Sequence, residues 1–187
     1  LRGDTIPKSM TKADYAEYRF ESALAEEDDF DMLVMGRTQG KGCYCYVNGV
    51  LKTLLDKYIG AYRYVVIDNE AGMEHIARGT LPHVDALLLV SDCSRRGVQA
   101  VARIAEMVRE LDLKPGLMKL IINRAPGGVL SDGVREEIEA HHLELAGVLP
   151  QDDAVYEADC DGKPSSKIPD ASPVKQALHG IMQDLSL

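Results

Sequence analysis

Two cysteines separated by one residue are the clearest chemical feature of this chain. Cys43 and Cys45 lie in a glycine-containing segment at residues 40–48. Two thiolates this close can bind one soft metal ion, but they supply only half of a four-ligand shell. The simplest source of the other half is the same segment of a second chain. The spacing therefore predicts a metal ion shared across a homodimer.

Two alternative roles for this cysteine pair remain open. A redox pair is one of them, although the small ring closed by a Cys-x-Cys disulfide is strained and easily reduced. A chance pairing without function is the other. Thiolates suit Zn²⁺, Cu(I) or square-planar Ni²⁺, and the spacing alone does not choose among these metals.

An acidic residue follows the apolar run at residues 64–67. Asp68 ends this run, and Asn69, Glu70 and Gly72 come directly after it. A carboxylate at the end of a strand is the arrangement that holds Mg²⁺ in P-loop NTPases. The backbone amide of Gly72 can then bind a γ-phosphate. The alternative is an aspartate that caps a helix or shapes a turn.

Two further apolar runs end in residues that suit a nucleotide base. Asn123 and Arg124 follow the run at residues 117–122, and an asparagine amide can pair with a purine edge through its donor and its acceptor. Pro150 and Asp152 follow the run at residues 143–149, where a proline-fixed loop can pack against a base. Simple turn and capping roles would account for the same residues.

The elements that must position these residues alternate along the chain. Continuous apolar runs indicate strands buried on both faces, as in parallel sheets, and amphipathic patterns between them indicate helices. The pattern predicts an α/β fold: a doubly wound, mostly parallel sheet with helices on both faces, in which ligands bind at the carboxyl ends of the strands. The predicted strands are 30–35, 64–67, 86–90, 117–122 and 143–149, and the predicted helices are 11–28, 47–59, 98–111, 133–141 and 172–185.

Composition limits the classes of function. The 187 residues, 45% of them hydrophobic, suit a single domain spanning 1–187, and the net charge of −9 argues against nucleic acid as a partner. No run approaches the roughly 18 apolar residues of a membrane span. Four cysteines in a chain without an apolar signal segment favour metal chemistry over a disulfide scaffold, and we expect a cytoplasmic protein.

Five segments together carry a resemblance to a known family. They are residues 31–48, 64–75, 87–97, 120–128 and 147–164, which include the GCYC and DNEAGMEH motifs. They closely resemble the accessory ATPases for nickel insertion into carbon monoxide dehydrogenase. These belong to the deviant P-loop class that also contains nitrogenase iron protein and the septum-site-determining ATPases. The resemblance runs from about Phe30 to the C-terminus.

The resemblance implies a role for each matching residue. Cys43 and Cys45 match the pair through which two subunits share a metal, and Asp68 matches the Walker B aspartate near Mg²⁺. Residues 69–72 match the switch that senses the γ-phosphate. Asn123 matches the adenine-reading asparagine, with Arg124 beside it, and Pro150 to Asp152 match the segment that flanks the base.

The resemblance also implies an activity, cofactors and partners. These are ATP-driven nickel insertion, ATP, Mg²⁺ and Ni²⁺ (or Zn²⁺), a homodimer, and carbon monoxide dehydrogenase as the client, without nucleic acid or membrane. Two other functions stay open: a non-catalytic metal-binding module, and a partitioning or cell-division ATPase of the same superfamily.

The sequence departs from the family at the phosphate-binding loop. No G-x-x-x-x-G-K-S/T motif occurs in it, and the segment 36–42 holds one lysine, Lys41, without a following Ser or Thr. The chain starts at Leu1 rather than Met, and its first thirty residues hold no convincing strand. We therefore expect an N-terminally truncated family domain that hydrolyses no appreciable ATP as written.

Four remaining residues suit simpler roles. Cys93 follows a predicted strand and suits a small buried apolar position, whereas Cys160 falls in a predicted polar loop. His141 and His142 end a predicted helix, where positive charge is favourable.

Overall fold

The chain divides into two units, Leu1–Pro82 and His83–Leu187, which are described one at a time. The computed structural model describes residues 7, 9–34, 53, 57–69 and 84–186. The domain organisation expected from the sequence, one domain over 1–187, stays a prediction.

The first unit opens with helix α1, Lys12–Glu21. The predicted start is confirmed, because Thr11 and Asp14 form a capping box in which each side chain accepts from the backbone of the other. The helix ends earlier than predicted because its chain turns into a hairpin. Strand β1, Leu24–Glu26, pairs antiparallel with strand β2, Asp31–Leu33.

This hairpin corrects two predictions. The first thirty residues do contain a strand, β1, and the run at residues 30–35 forms a short antiparallel strand rather than a buried parallel one. The cause is local turn chemistry: the backbone N–H of Glu27 donates to the Phe30 carbonyl at 3.0 Å and reverses the chain. As a result Phe30 and Val34 stay 60% and 69% exposed.

The predicted strand at residues 64–67 is also not observed. These residues belong to no strand, and Val66 is 92% exposed. A strand needs a paired neighbour, and none of the described residues pairs with this segment. Of the predicted helix at 47–59, Thr53, Lys57 and Tyr58 are described as helical, followed by the 3₁₀ turn Ile59–Ala61.

The second unit contains a three-stranded parallel sheet. Its strands are β3 (Ala86–Asp92), β4 (Leu117–Ala125) and β5 (Leu145–Pro150), with β4 in the centre. Helix α2 (Arg95–Glu110) packs on β3, and helix α3 (Asp132–Ala140) packs on α2. Three predicted strands and two predicted helices are thereby confirmed within a few residues.

The last two helices follow β5. Helix α4 spans Asp153–Cys160, and helix α5 spans Pro173–Asp184 and packs on β5. The terminal helix is confirmed, but α4 was missed, and Cys160 is its last residue rather than part of a loop. The sequence pattern of α4 is a poor signal because no residue of this short helix is buried.

One hydrophobic cluster holds the sheet to helices α2 and α3. The side chains of β3 and β4 meet one face of α2, whose alternation of buried and exposed residues matches the predicted amphipathic stripe. The cluster consists of Leu89, Val98, Val101, Ala102, Ala105, Leu120, Ile122, Ala125, Leu130, Val134, Ile138 and Leu143. This packing fixes the carboxyl ends of the strands, where the candidate site residues lie.

Candidate functional site

The carboxyl ends of β3, β4 and β5 form one edge of the sheet. The parallel register places Asp92 opposite Asn123, and Ala125 opposite Pro150. Two segments that were predicted to bind a base, Asn123–Arg124 and the loop after β5, are therefore neighbours. They are distant in sequence but are brought together by the pairing of β4 with β5.

Asn123 and Arg124 stand in an irregular part of β4. The ladder with β5 shifts between Ile122 and Ala125, and Arg124 takes a left-handed backbone conformation with φ of 55°. The Arg124 backbone N–H donates to Oδ1 of Asn123 at 2.8 Å. This bond orients the amide group of Asn123 at the sheet edge.

The amide of Asn123 keeps hydrogen-bonding capacity for a ligand. Its oxygen has a second lone pair beyond the bond from Arg124, and its nitrogen donates to none of the residues that the structure describes. The side chain is half-buried rather than enclosed. One donor and one acceptor are what a purine edge requires, so the residue present fits an adenine nucleotide.

The loop after β5 lies against the turn after β4. The backbone N–H of Gln151 donates to the Ala125 carbonyl at 2.9 Å. The turn Pro126–Gly128 has φ of 60° at Gly127 and 70° at Gly128, which favours glycine at both positions. A Cβ on Gly128 would lie 3.7 Å from Cβ of Pro150, so the two loops are in van der Waals range of each other.

Asp152 is engaged on both of its carboxylate oxygens. Oδ1 accepts from the Ala154 N–H at 2.9 Å and caps α4. Oδ2 accepts from the Ser172 hydroxyl at 2.5 Å and from the Val174 N–H at 3.4 Å, at the start of α5. The hydrogen bond from Ser172 holds the pKa of Asp152 below its ordinary value, and the bonds from Ala154 and Val174 lower it further.

A further polar group at this edge was not predicted from the sequence. Oδ1 of Asp92 accepts from the backbone N–H and the hydroxyl of Ser94 at 3.0 and 2.6 Å, and Ser94 Oγ accepts from Gly97 N–H and caps α2. These bonds, led by the Ser94 hydroxyl, lower the pKa of Asp92. The available signal was the Ser-Asp-Cys-Ser run before a strongly amphipathic helix.

Cys93 lies beside this group. Its thiol donates to the Arg124 carbonyl at 3.5 Å, and the side chain is half-buried. The expectation of a small buried apolar position is confirmed in part, because Cys93 is partly buried and packs against the hydrophobic core cluster.

The remaining predicted site residues belong to the first unit. Asp68 and Asn69 are exposed residues in a segment without regular secondary structure at 64–69. Cys43, Cys45, Glu70 and Gly72 lie outside the described residues. Within the described ranges, no cluster of three His, Cys, Asp or Glu side chains is arranged to hold a metal ion.

Similarity to solved structures defines the class of fold. The ParA family ATPase of Chlorobium tepidum matches with a TM-score of 0.71 at 19% identity, over 99% of this chain and 77% of that one. The septum site-determining protein MinD of Pyrococcus horikoshii, solved with Mg-ADP, matches with a TM-score of 0.68 at 16% identity, over 98% and 75%. The chain therefore has a P-loop NTPase-like α/β fold.

Sequence relatives define the family. The uncharacterized ATP-binding protein MJ0685 of Methanocaldococcus jannaschii is 35% identical over 97% of this chain and 72% of its own length. The chain belongs to the family of ATP-binding proteins that MJ0685 represents. It is also 32% identical to the carbon monoxide dehydrogenase accessory protein CooC of Rhodospirillum rubrum, over 76% of this chain and 54% of that protein. No protein-family model matches the chain.

In the described ranges, no helix is both long enough and apolar enough to cross a membrane.

Proposed function

We propose that this protein binds adenine nucleotide and uses it to control the insertion of nickel into carbon monoxide dehydrogenase. ATP binding closes a homodimer and brings two Cys43/Cys45 pairs around one metal ion. Hydrolysis, which reopens the dimer and releases the metal to the client enzyme, requires in addition the phosphate-binding loop that this sequence lacks. Nucleotide and metal affinities are linked because both favour the closed dimer.

Nucleotide binding is supported by the family relationship together with the residues at the carboxyl ends of β4 and β5. The relative with 35% identity over 97% of the chain is an ATP-binding protein. At the edge of the second unit, Asn123 offers a donor and an acceptor beside the loop that begins at Pro150. Asp68 is proposed as the carboxylate near Mg²⁺, which would offset phosphate charge there. The proposed γ-phosphate switch consists of Asn69, Glu70 and Gly72.

The metal part is supported by the sequence and by a second relative. Cys43 and Cys45 supply two thiolates, which suit Ni²⁺ or Zn²⁺ when a second copy supplies two more. The accessory protein CooC, 32% identical to this chain, is named for carbon monoxide dehydrogenase. The client and the metal are proposals on this basis.

Nucleotide binding is tested by calorimetric titration of the protein with Mg-ADP and Mg-GDP. We expect preference for the adenine nucleotide, and Asn123→Ala should reduce that preference by about tenfold, because the variant loses the donor and the acceptor that pair with the purine edge. Gln183→Ala, which removes an exposed amide side chain, is a matched surface control on the same unit. Equal binding of both nucleotides by the wild type would contradict the role of Asn123.

The metal bridge is tested by native mass spectrometry under reducing, anaerobic conditions. We expect one Ni²⁺ or Zn²⁺ per two chains, with the dimer appearing as metal is added. The Cys43→Ala/Cys45→Ala variant should stay monomeric, whereas Cys93→Ala/Cys160→Ala, which removes the two described free thiols, should behave like the wild type. Equal amounts of dimer with and without metal would refute the bridge.

A second candidate function is a partitioning or cell-division ATPase without a metal. The similarity in fold to the ParA and MinD ATPases favours it. Native mass spectrometry with added metal separates the two functions, because only the nickel-insertion function requires the dithiol at Cys43 and Cys45. A nucleotide-dependent dimer that is unchanged by metal and by loss of both cysteines would favour this candidate.

A further inference from the structure

Helix α5 is fixed to the rest of the second unit at two points. The first is apolar: Ile181 is buried on β5, and a Cβ added to Gly147 would meet its side chain at 2.5 Å. The second is polar and lies at the other end of the helix, where Ser172 caps α5 and contacts Asp152. The polar contact is therefore between the terminal helix and the loop after β5.

Ser172 and Asp152 form a partly buried pair. Ser172 is 5% exposed, and its hydroxyl donates to Oδ2 of Asp152 at 2.5 Å. The same oxygen accepts from the Val174 N–H, while the other caps α4. One carboxylate thus stabilises the N-termini of two helices, where negative charge is favourable.

A short series of bonds connects this pair with the proposed base site. Asp152 follows Gln151, whose N–H donates to the Ala125 carbonyl. Ala125 pairs with Pro150 and follows Arg124, whose N–H orients the amide of Asn123. Asp152 is therefore linked by direct contacts to the loop and the strand end that hold the proposed base contacts.

We propose that the Ser172–Asp152 hydrogen bond is a latch through which helix α5 positions the nucleotide-binding edge. This inference rests on the proposed nucleotide binding and assigns a positioning role to Ser172. With the latch closed, the loop after β5 is held in the geometry that binds the base. Docking of the first turn of α5 and nucleotide affinity are then reciprocally linked, so that each stabilises the other.

The acceptor of the latch is present at neutral pH. The hydrogen bond from Ser172 keeps the pKa of Asp152 below 3.8, so the carboxylate is charged in ordinary buffers. Asp152→Asn removes the charge and leaves one acceptor oxygen for the donors that two carboxylate oxygens now serve. It therefore weakens the same latch from the carboxylate side, as Ser172→Ala does from the hydroxyl side.

The experiment combines calorimetry with hydrogen exchange on wild type, Ser172→Ala and Asp152→Asn. We expect both variants to bind Mg-ADP about fivefold more weakly, as loss of a cap-type hydrogen bond predicts. In the wild type, Mg-ADP should slow amide exchange at Val174 and Lys175, and this response should vanish in both variants. Ser165→Ala, an exposed serine a few residues before α5, is the matched control and should change neither quantity.

The outcomes separate this inference from the function on which it rests. If the wild type binds Mg-ADP but folded Ser172→Ala and Asp152→Asn bind it equally well, the latch is refuted and nucleotide binding stands. The latch is also refuted if Mg-ADP does not slow amide hydrogen exchange at Val174 in the wild type. If the wild type binds no Mg-ADP, the proposed function fails and the latch fails with it. Circular dichroism confirms folding of each variant.

Discussion

Glu137 is a charged side chain buried between two helices, with 7% of its surface exposed. One carboxylate oxygen accepts from Nε and Nη2 of Arg95 at 2.9 and 2.7 Å, and the other accepts from Gln99 at 2.8 Å. His141 Nε2 lies 3.2 Å from that second oxygen. The bonds from Gln99 and then Arg95 lower the pKa of Glu137, so the ionised form holds α3 against α2.

This carboxylate makes stability depend on pH in a defined direction. Because the folded pKa lies below the ordinary 4.5, Glu137 contributes stability above that pH and loses the contribution as pH falls through the folded pKa. We expect Glu137→Gln to lower the unfolding midpoint in urea at neutral pH, with the difference from wild type shrinking below about pH 4.5. Exposed Glu136→Gln is the control. A difference that is constant across pH would show that Glu137 acts through packing alone.

Two serines at helix N-caps differ in whether their side chains form a capping hydrogen bond. Ser94 is the N-cap of α2 and its hydroxyl accepts from the Gly97 N–H at 3.0 Å, whereas Ser131, the N-cap of α3, makes no side-chain cap bond. Ser94→Ala should therefore cost about 1 kcal/mol of unfolding free energy, and Ser131→Ala less than about 0.5 kcal/mol. Denaturant titration measures both. Equal losses would mean that the Ser94 bond contributes nothing specific.

The contact between α5 and β5 depends on a close approach at Gly147. A Cβ at this position would lie 2.5 and 2.6 Å from Cγ1 and Cδ1 of Ile181, which is too close for atoms in a packed core. We expect Gly147→Ala to destabilise by about 1–3 kcal/mol through overpacking. Ile181→Ala removes the clashing atoms, so the double variant should be more stable than the sum of the two single effects predicts. Strictly additive losses would show that the clash relaxes elsewhere.

The same elements show what the sequence predicts and what it does not. The strands β3, β4 and β5 and the helix α2 are long, continuous and buried, so their apolar patterns indicate them directly. The hairpin of β1 and β2 depends on a turn at residues 27–30, and α4 buries no residue, so neither has a strong pattern. Residues 64–67 carry a strand pattern, but pattern alone does not supply a paired neighbour.

The candidate site was predictable only where strand topology determines it. Asn123 and Pro150 lie near the carboxyl ends of two strands that are parallel neighbours, so their common edge follows from the fold class. The contact of Ser172 with Asp152 joins residues 20 positions apart and depends on how α5 docks on β5. Nothing in the local sequence of either residue specifies that docking.

At the scale of the whole molecule, net charge opposes the proposed dimer. Each chain carries −9, so two copies repel one another at neutral pH. Metal-bridged association must overcome this repulsion, which is strongest at low ionic strength because the screening length is then longest. The proposed bridge and the overall charge therefore act in opposite directions.

This opposition gives a prediction for the complete chain. Sedimentation velocity with one Ni²⁺ per two chains should show tighter dimerisation as NaCl rises from about 0.02 M to about 0.2 M, because screening weakens repulsion between exposed charges but not thiolate–metal bonds. The Cys43→Ala/Cys45→Ala variant should remain monomeric at both salt concentrations. Dimerisation that weakens as salt is added would show that ion pairs between the copies, rather than a shared metal ion, hold the assembly together.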